Sequence, residues 1–198
     1  MNVLPVNSLL NILFLSIYLV IKMNIEELKY PVGKFIKPEV ISKEMIETAI
    51  SEIECFPNLI KTEIQSIEEN DFQLKYRPNG WTISQVVHHC ADSHVNSYVR
   101  FKLALTENVP TIRPYEESLW AELPDKKLSP FVSLKLLEAL HERWVFLLKR
   151  LSEEELDKEF IHPEQPKSIS LKENILIYSW HCRHHLAHIR QAKELKFE

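Results

Sequence analysis

The sequence predicts an all-α fold, a four-helix bundle with a long loop between its second and third helices. Three observations lead there. Glycine occurs only 2 times in 198 residues, which disfavours architectures built on tight strand turns. Four segments repeat apolar residues at helical spacing. Polar or proline-bearing stretches separate them, and four amphipathic helices of this length bury their faces most simply in a bundle.

Residues 1–22 stand apart from the rest. Residues 3–21 read VLPVNSLLNILFLSIYLVI, with no charge before Lys22. As a membrane span the stretch is barely long enough, and Pro5, Asn7 and Asn11 weaken it. As a signal peptide it lacks a basic n-region and a small-residue cleavage site. A third reading, favoured by the mismatch in composition with the remainder of the chain, starts translation at Met23. Residues 23–198 then make the folded domain.

Pro31, Gly33 and Pro38 mark residues 30–38 as an extended arm. Ser42 opens the first helix, with Met45, Ala49, Ile53, Ile60, Ile64 and Ile67 as its apolar stripe and a kink expected at Pro57. Asn79-Gly80 signals a turn before the second helix, 82–107. Its inward face is Ile83, Val86, Val87, Cys90, Tyr98, Phe101 and Leu105. The connection 108–130 holds Pro110, Pro114, Pro124 and Pro130, and a loop this long in a compact domain is usually a lid or binding loop. It favours a crossover over plain up-down-up-down order. The third helix, 131–151, turns Leu134, Leu137, Leu140, Trp144, Leu147 and Leu148 inward. A loop through His162-Pro-Glu-Gln-Pro leads to the fourth, 171–195, whose stripe is Leu171, Ile175, Cys182, Leu186 and Ile189.

Composition excludes several functions. A formal charge of −4 argues against a nucleic-acid groove. No glycine-rich phosphate loop is present. Cys55, Cys90 and Cys182 are odd in number and far apart, which fits reduced thiols in a cytoplasm better than a disulfide framework.

The 9 histidines are the unusual feature. His88, His89 and His94 fall on the second helix, and His181, His184, His185 and His188 on the fourth. Helix residues four apart lie about 40° apart in rotation, so an H-x-x-x-H pair aims two imidazoles at one point. Two such pairs compete, His181/His185 and His184/His188. The wheel places His184 opposite the apolar stripe, toward solvent, and puts His181 and His185 on its flank, facing a cleft. On the second helix His89 lies on a polar stripe with Gln85, Ser93, Asn96 and Arg100, whereas His94 falls on the apolar face itself. Any one histidine alone reads as an ordinary interior or surface residue. An i,i+4 pair with a third candidate on another helix reads as a metal site, His89, His181 and His185.

Three neutral imidazoles leave open coordination positions, as catalytic sites do. Zinc is the default, with nickel or another divalent metal an alternative. A water held there can be deprotonated near neutral pH and attack an electrophile. The helix has no H-E-x-x-H glutamate, so a general base must come from elsewhere, Asp92, Glu116 or Glu117 being candidates. Cys90 and Cys182 adjoin the ligands but sit in apolar stripes and read as packing. Arg113 either holds an anionic substrate or solvates the loop. The four tryptophans, Trp81, Trp120, Trp144 and Trp180, read as core and loop anchors rather than a ligand cage.

Together NGWTISQVVHHCADSHVNSYVRFKLALTE, PTIRPYEESLWAELP, LHERW and YSWHCRHHLAHI resemble the YfiT group of the DinB-like superfamily, from about residue 30 to 190. The resemblance implies a four-helix bundle with one metal held by His89, His181 and His185. It implies a cytoplasmic homodimer with one zinc per subunit and hydrolysis of a small molecule, without nucleic acid or, residues 1–22 aside, membrane. Related DinB-like proteins are thiol S-transferases using thiols such as bacillithiol, so metal-dependent thiol transfer is the alternative. A non-catalytic metal-binding stress protein is a third. The usual start of the group resembles MNIEELKYPVGKF, which adds weight to Met23.

Overall fold

Side-chain caps set where the helices begin. In this computed structural model, which describes residues 24–164 and 167–198, Ser42 accepts from the Met45 amide and starts α1, Lys43–Ile64. Thr82 and Gln85 form a reciprocal capping box at the start of α2, Ile83–Thr106. Pro130 occupies the first turn of α3, Pro130–Leu148, and Ser170 caps α4, Leu171–Leu195. The reading of residues 1–22 as an apolar extension lies outside the described residues. Among those described, no helix is long and apolar enough to cross a membrane.

Side-chain pairs give the direction of each helix. Glu52 meets Arg183 and Glu63 meets Arg190, so α1 and α4 run parallel. Lys61 meets Glu138 and Lys149 meets Glu54, so α1 and α3 are antiparallel. His88 to Ser133 and His94 to His141 make α2 and α3 parallel. Ser97 to Asn174 and Ser93 to Tyr178 make α2 and α4 antiparallel. The order is therefore up-down-down-up, with α1 and α2 on one diagonal of the bundle and α3 and α4 on the other. Because α2 and α3 point the same way, the chain must return the length of α2, about 36 Å at helical rise. The long proline-bearing connection exists for that return.

The core holds Trp144, Phe56, Phe101 and Phe160 with the isoleucines and leucines of all four helices. Met45, expected inward, is 38 % exposed; Ile46 and Ile50 take the inward positions. Pro57 lies inside continuous helix with its ring buried. Several short elements were not legible in the sequence, a ribbon and an N-terminal helix among them. A two-stranded antiparallel ribbon, Glu159–Phe160 with Ile169–Ser170, closes the connection into α4. A short helix, Ile25–Lys29, leads into an arm that lies along α4, where Gln191 donates to the Leu28 carbonyl and Trp180 to that of Gly33.

Cys55 is exposed, while Cys90 and Cys182 are buried, and burial pushes both of those thiols up. Maleimide labelling of the native protein is expected to consume one thiol per chain, rising to three in denaturant. Rapid native labelling of all three would contradict this packing.

Candidate metal centre

The antiparallel apposition of α2 and α4 brings His89 against the i,i+4 pair on the facing helix. His89 Nε2 and His181 Nε2 are 3.3 Å apart. The His89 ring centroid lies 5.4 Å from that of His181 and 4.8 Å from that of His185, and the latter two are 4.3 Å apart. One ring nitrogen from each falls within 4.8 Å of the others. Two imidazole nitrogens bound tetrahedrally at about 2.0–2.1 Å would stand about 3.3–3.4 Å apart, so the cluster fits a cation such as zinc. The three residues predicted as ligands are brought together.

Their surroundings keep them neutral. Burial depresses His89 to about 4, and it holds His181 and His185 well below the ordinary imidazole value, neighbouring rings adding to the effect. His141 and His184 fall to about 4 and His188 to about 3, again chiefly through burial. Neutral imidazole is the form that donates a lone pair to a metal.

His184 corrects the sequence reading. The wheel turns it toward solvent, yet it is 7 % exposed, stacked on Trp180 at 4.6 Å and beside Tyr30 at 5.8 Å. The N-terminal arm covers that face of α4, which a wheel drawn for four helices leaves open. His184, His185 and His188 make a second group with nitrogens within 4.8 Å. In that group both nitrogens of His188 are engaged, one on the Lys29 carbonyl at 3.1 Å and one on His185 at 3.4 Å. That residue therefore supports His185 rather than competing for a metal.

A cleft of about 450 Å³ adjoins the imidazoles. Its walls include Trp81, 4.7 Å from the His89 ring, and Tyr178, 5.3 Å from that of His181. The long connection supplies Tyr115, Glu116 and Glu117, and α2 supplies Ser93 and Arg100. The Tyr115 hydroxyl is buried without a hydrogen-bond partner, and burial raises its pKa, so it stays a proton-bearing donor. Burial raises the Glu117 carboxyl against the pull of Arg100. A larger cleft of about 680 Å³, lined by Lys43, Glu47 and Lys172 among others, lies away from the imidazoles, so size does not locate the chemistry.

The other sequence candidates divide. Glu116 and Glu117 line the cleft; Asp92 does not, although burial lifts it to about 6 with Asp125 adding to the shift. Arg113 is exposed outside the cleft, and Arg100 holds the position it was considered for. Trp144 is core, whereas Trp81 packs tilted against His89 and Trp180 stacks on His184. Sequence reasoning gave His141 no role, weighed His188 only in the rival pair with His184, and left His94 on the apolar face without a role. A signal existed for His141, which follows Leu137 by four and precedes Trp144 by three, within the buried stripe of α3.

Fold and site together define a helical-bundle protein in which three imidazoles from two helices converge. The chain belongs to the DinB superfamily, whose family model matches residues 58–189. A Bacillus cereus protein bearing the provisional name metal-dependent hydrolase is 51% identical over 168 residues, 85% of this chain and 96% of that protein. The solved structure of YfiT from Bacillus subtilis, described as a probable metal-dependent hydrolase with an unusual four-helix bundle topology, aligns with a TM-score of 0.82 at 42% identity. It covers 87% of this chain and 99% of YfiT. A mycothiol-dependent maleylpyruvate isomerase shares the fold at a TM-score of 0.60 and 16% identity, over 73% of this chain and 60% of the isomerase.

The depressed histidines set the acid stability of the metal-free protein. An unfolded chain takes up protons on these rings from about pH 6.5 downward, while the native state resists until about pH 4. Their stabilising contribution is full above pH 6.5 and is lost as pH falls toward 4, at up to about 1.4 kcal/mol per pH unit for each proton. Urea midpoints measured at pH 7, 6 and 5 are expected to fall steeply; a flat series would contradict the buried neutral cluster.

Proposed function

We propose that His89, His181 and His185 hold one divalent cation, zinc by default, and that the protein hydrolyses a small polar molecule bound in the adjoining cleft. The observation that carries this reading is the convergence of three neutral imidazole nitrogens beside a cleft lined by ionisable side chains. A cation held there supplies Lewis acidity, which acidifies water or a thiol and polarises a substrate oxygen. The rest belongs to the chain. Three protein ligands leave positions for substrate, as in catalytic rather than structural sites. Glu116 and Glu117 are the carboxylates placed to accept a proton, and the Tyr115 hydroxyl can donate a hydrogen bond to a substrate oxygen. Arg100 can pair with an anionic group. The hydrolase names of relatives at 51% identity support the choice of reaction. Cytoplasmic location and a homodimer complete the proposal on the strength of the family resemblance.

The likeness to a mycothiol-dependent isomerase favours one second reading, in which a small thiol rather than water is activated. The same open position serves both. Removal of any one of the three imidazoles tests the site: His89→Ala, His181→Ala and His185→Ala are each expected to reduce bound zinc well below one per chain by elemental analysis, while His184→Ala stays near the parent value. Retention of a full equivalent by all three variants would remove the site. Incubating the zinc-loaded protein with activated esters or amides, with and without a thiol, then separates the reactions. Turnover in water alone supports hydrolysis; strict thiol dependence overturns it.

A further inference from the structure

Behind the proposed ligands stand histidines that do not line the cleft beside them, and their hydrogen bonds run in one direction only. The first series begins with Pro57. Proline has no N–H, so the Ile53 carbonyl four residues earlier in α1 lacks its helical donor. His141 Nδ1 lies 2.7 Å from that oxygen. A carbonyl can only accept, so Nδ1 carries the proton, and in a neutral ring Nε2 must then accept. His94 Nδ1, 2.7 Å from His141 Nε2, is therefore the donor. His94 Nε2 in turn accepts from His181 Nδ1 at 3.1 Å. That leaves His181 Nε2 as a bare lone pair, and it is the atom 3.3 Å from His89 Nε2.

A second series has the same logic and separate residues. The short helix Ile25–Lys29 ends at Lys29, whose carbonyl is beyond the reach of further helical amides. His188 Nε2 donates to it at 3.1 Å, so His188 Nδ1 accepts from His185 Nδ1 at 3.4 Å. His185 Nε2 is then the free lone pair. Each series ends on a helix carbonyl deprived of its own amide. The rings of His94, His141, His185 and His188 are buried and that of His181 is half-buried, and among the described residues none of them hydrogen-bonds to a carboxylate that would stabilise an imidazolium.

We propose that His94, His141 and His188 are positioning residues that lock His181 and His185 in the Nδ1–H tautomer, so that both present Nε2 to the cation. The proposal rests on the three-histidine metal reading above. Reversing His181 would set two lone pairs against each other at the buried His94 contact and forfeit that hydrogen bond. His94 also fixes the ring in place through packing on Phe56 at 5.2 Å and Tyr178 at 5.2 Å. Supporting shells of this kind typically alter metal affinity about 10- to 100-fold when removed.

The test reads tautomers in the metal-free full chain by nitrogen NMR of ¹⁵N-histidine protein, and zinc affinity by chelator competition. In the parent, His181 is expected to show a protonated Nδ1 and an unprotonated Nε2. His94→Phe keeps the ring shape but removes the acceptor; mixed tautomers at His181 and about 10- to 100-fold weaker zinc binding are expected. His94→Gln retains one donor and one acceptor and is expected to bind within about threefold of the parent. Unchanged tautomer and unchanged affinity in His94→Phe would overturn the proposal. Should the parent bind no zinc, the metal reading fails by itself, and the parent spectrum, which needs no substitution, still decides the relay. A His181 protonated at Nε2 in that spectrum refutes it.

Discussion

Everything at this site depends on how imidazoles can be buried. A charged ring in the middle of a helical bundle, with no carboxylate beside it, carries a large desolvation penalty; a neutral ring carries a small one if both nitrogens find partners. The bundle meets that condition by pairing histidine with histidine. His94, His141 and His181 satisfy one another in series, as do His185 and His188, with helix carbonyls closing each series. The free Nε2 lone pairs of His181 and His185 converge with His89 between α2 and α4, an arrangement that suits a cation.

The topology serves the same end. Parallel α2 and α3 let His94 and His141 meet, and antiparallel α2 and α4 let His89 face His181 and His185. The parallel pair obliges the chain to return along the bundle. The returning segment carries Tyr115, Glu116 and Glu117 to the cleft beside the imidazoles. One connection thus solves a problem of chain direction and furnishes much of the cleft wall. The long loop is part of the site because the helix order requires it.

Much of this was legible in residue spacing. Helical period gave four helices within a residue or a few of their ends, and loop length pointed to the crossover. The i,i+4 rule and the wheel selected His89, His181 and His185, which the fold brings together. What spacing could not show was contact between elements distant in sequence. A wheel treats the face opposite the core as solvent, and the arm covering His184 is more than a hundred residues away along the chain. His141 lay in a buried stripe, yet its partner is a carbonyl exposed only because Pro57 sits four residues beyond it. Met45 missed the core because the buried face of α1, which keeps Ala49, Ile53, Ile60 and Ile64 as expected, widens at its start toward Ile46 and Ile50 rather than Met45.

The most direct test of the three-imidazole centre is zinc K-edge X-ray absorption on the zinc-loaded full chain. Three imidazole nitrogens at about 2.0–2.1 Å, with oxygen donors completing the shell and no sulfur, are the predicted result. A first shell containing sulfur near 2.3 Å, or one without imidazole scattering, would contradict it.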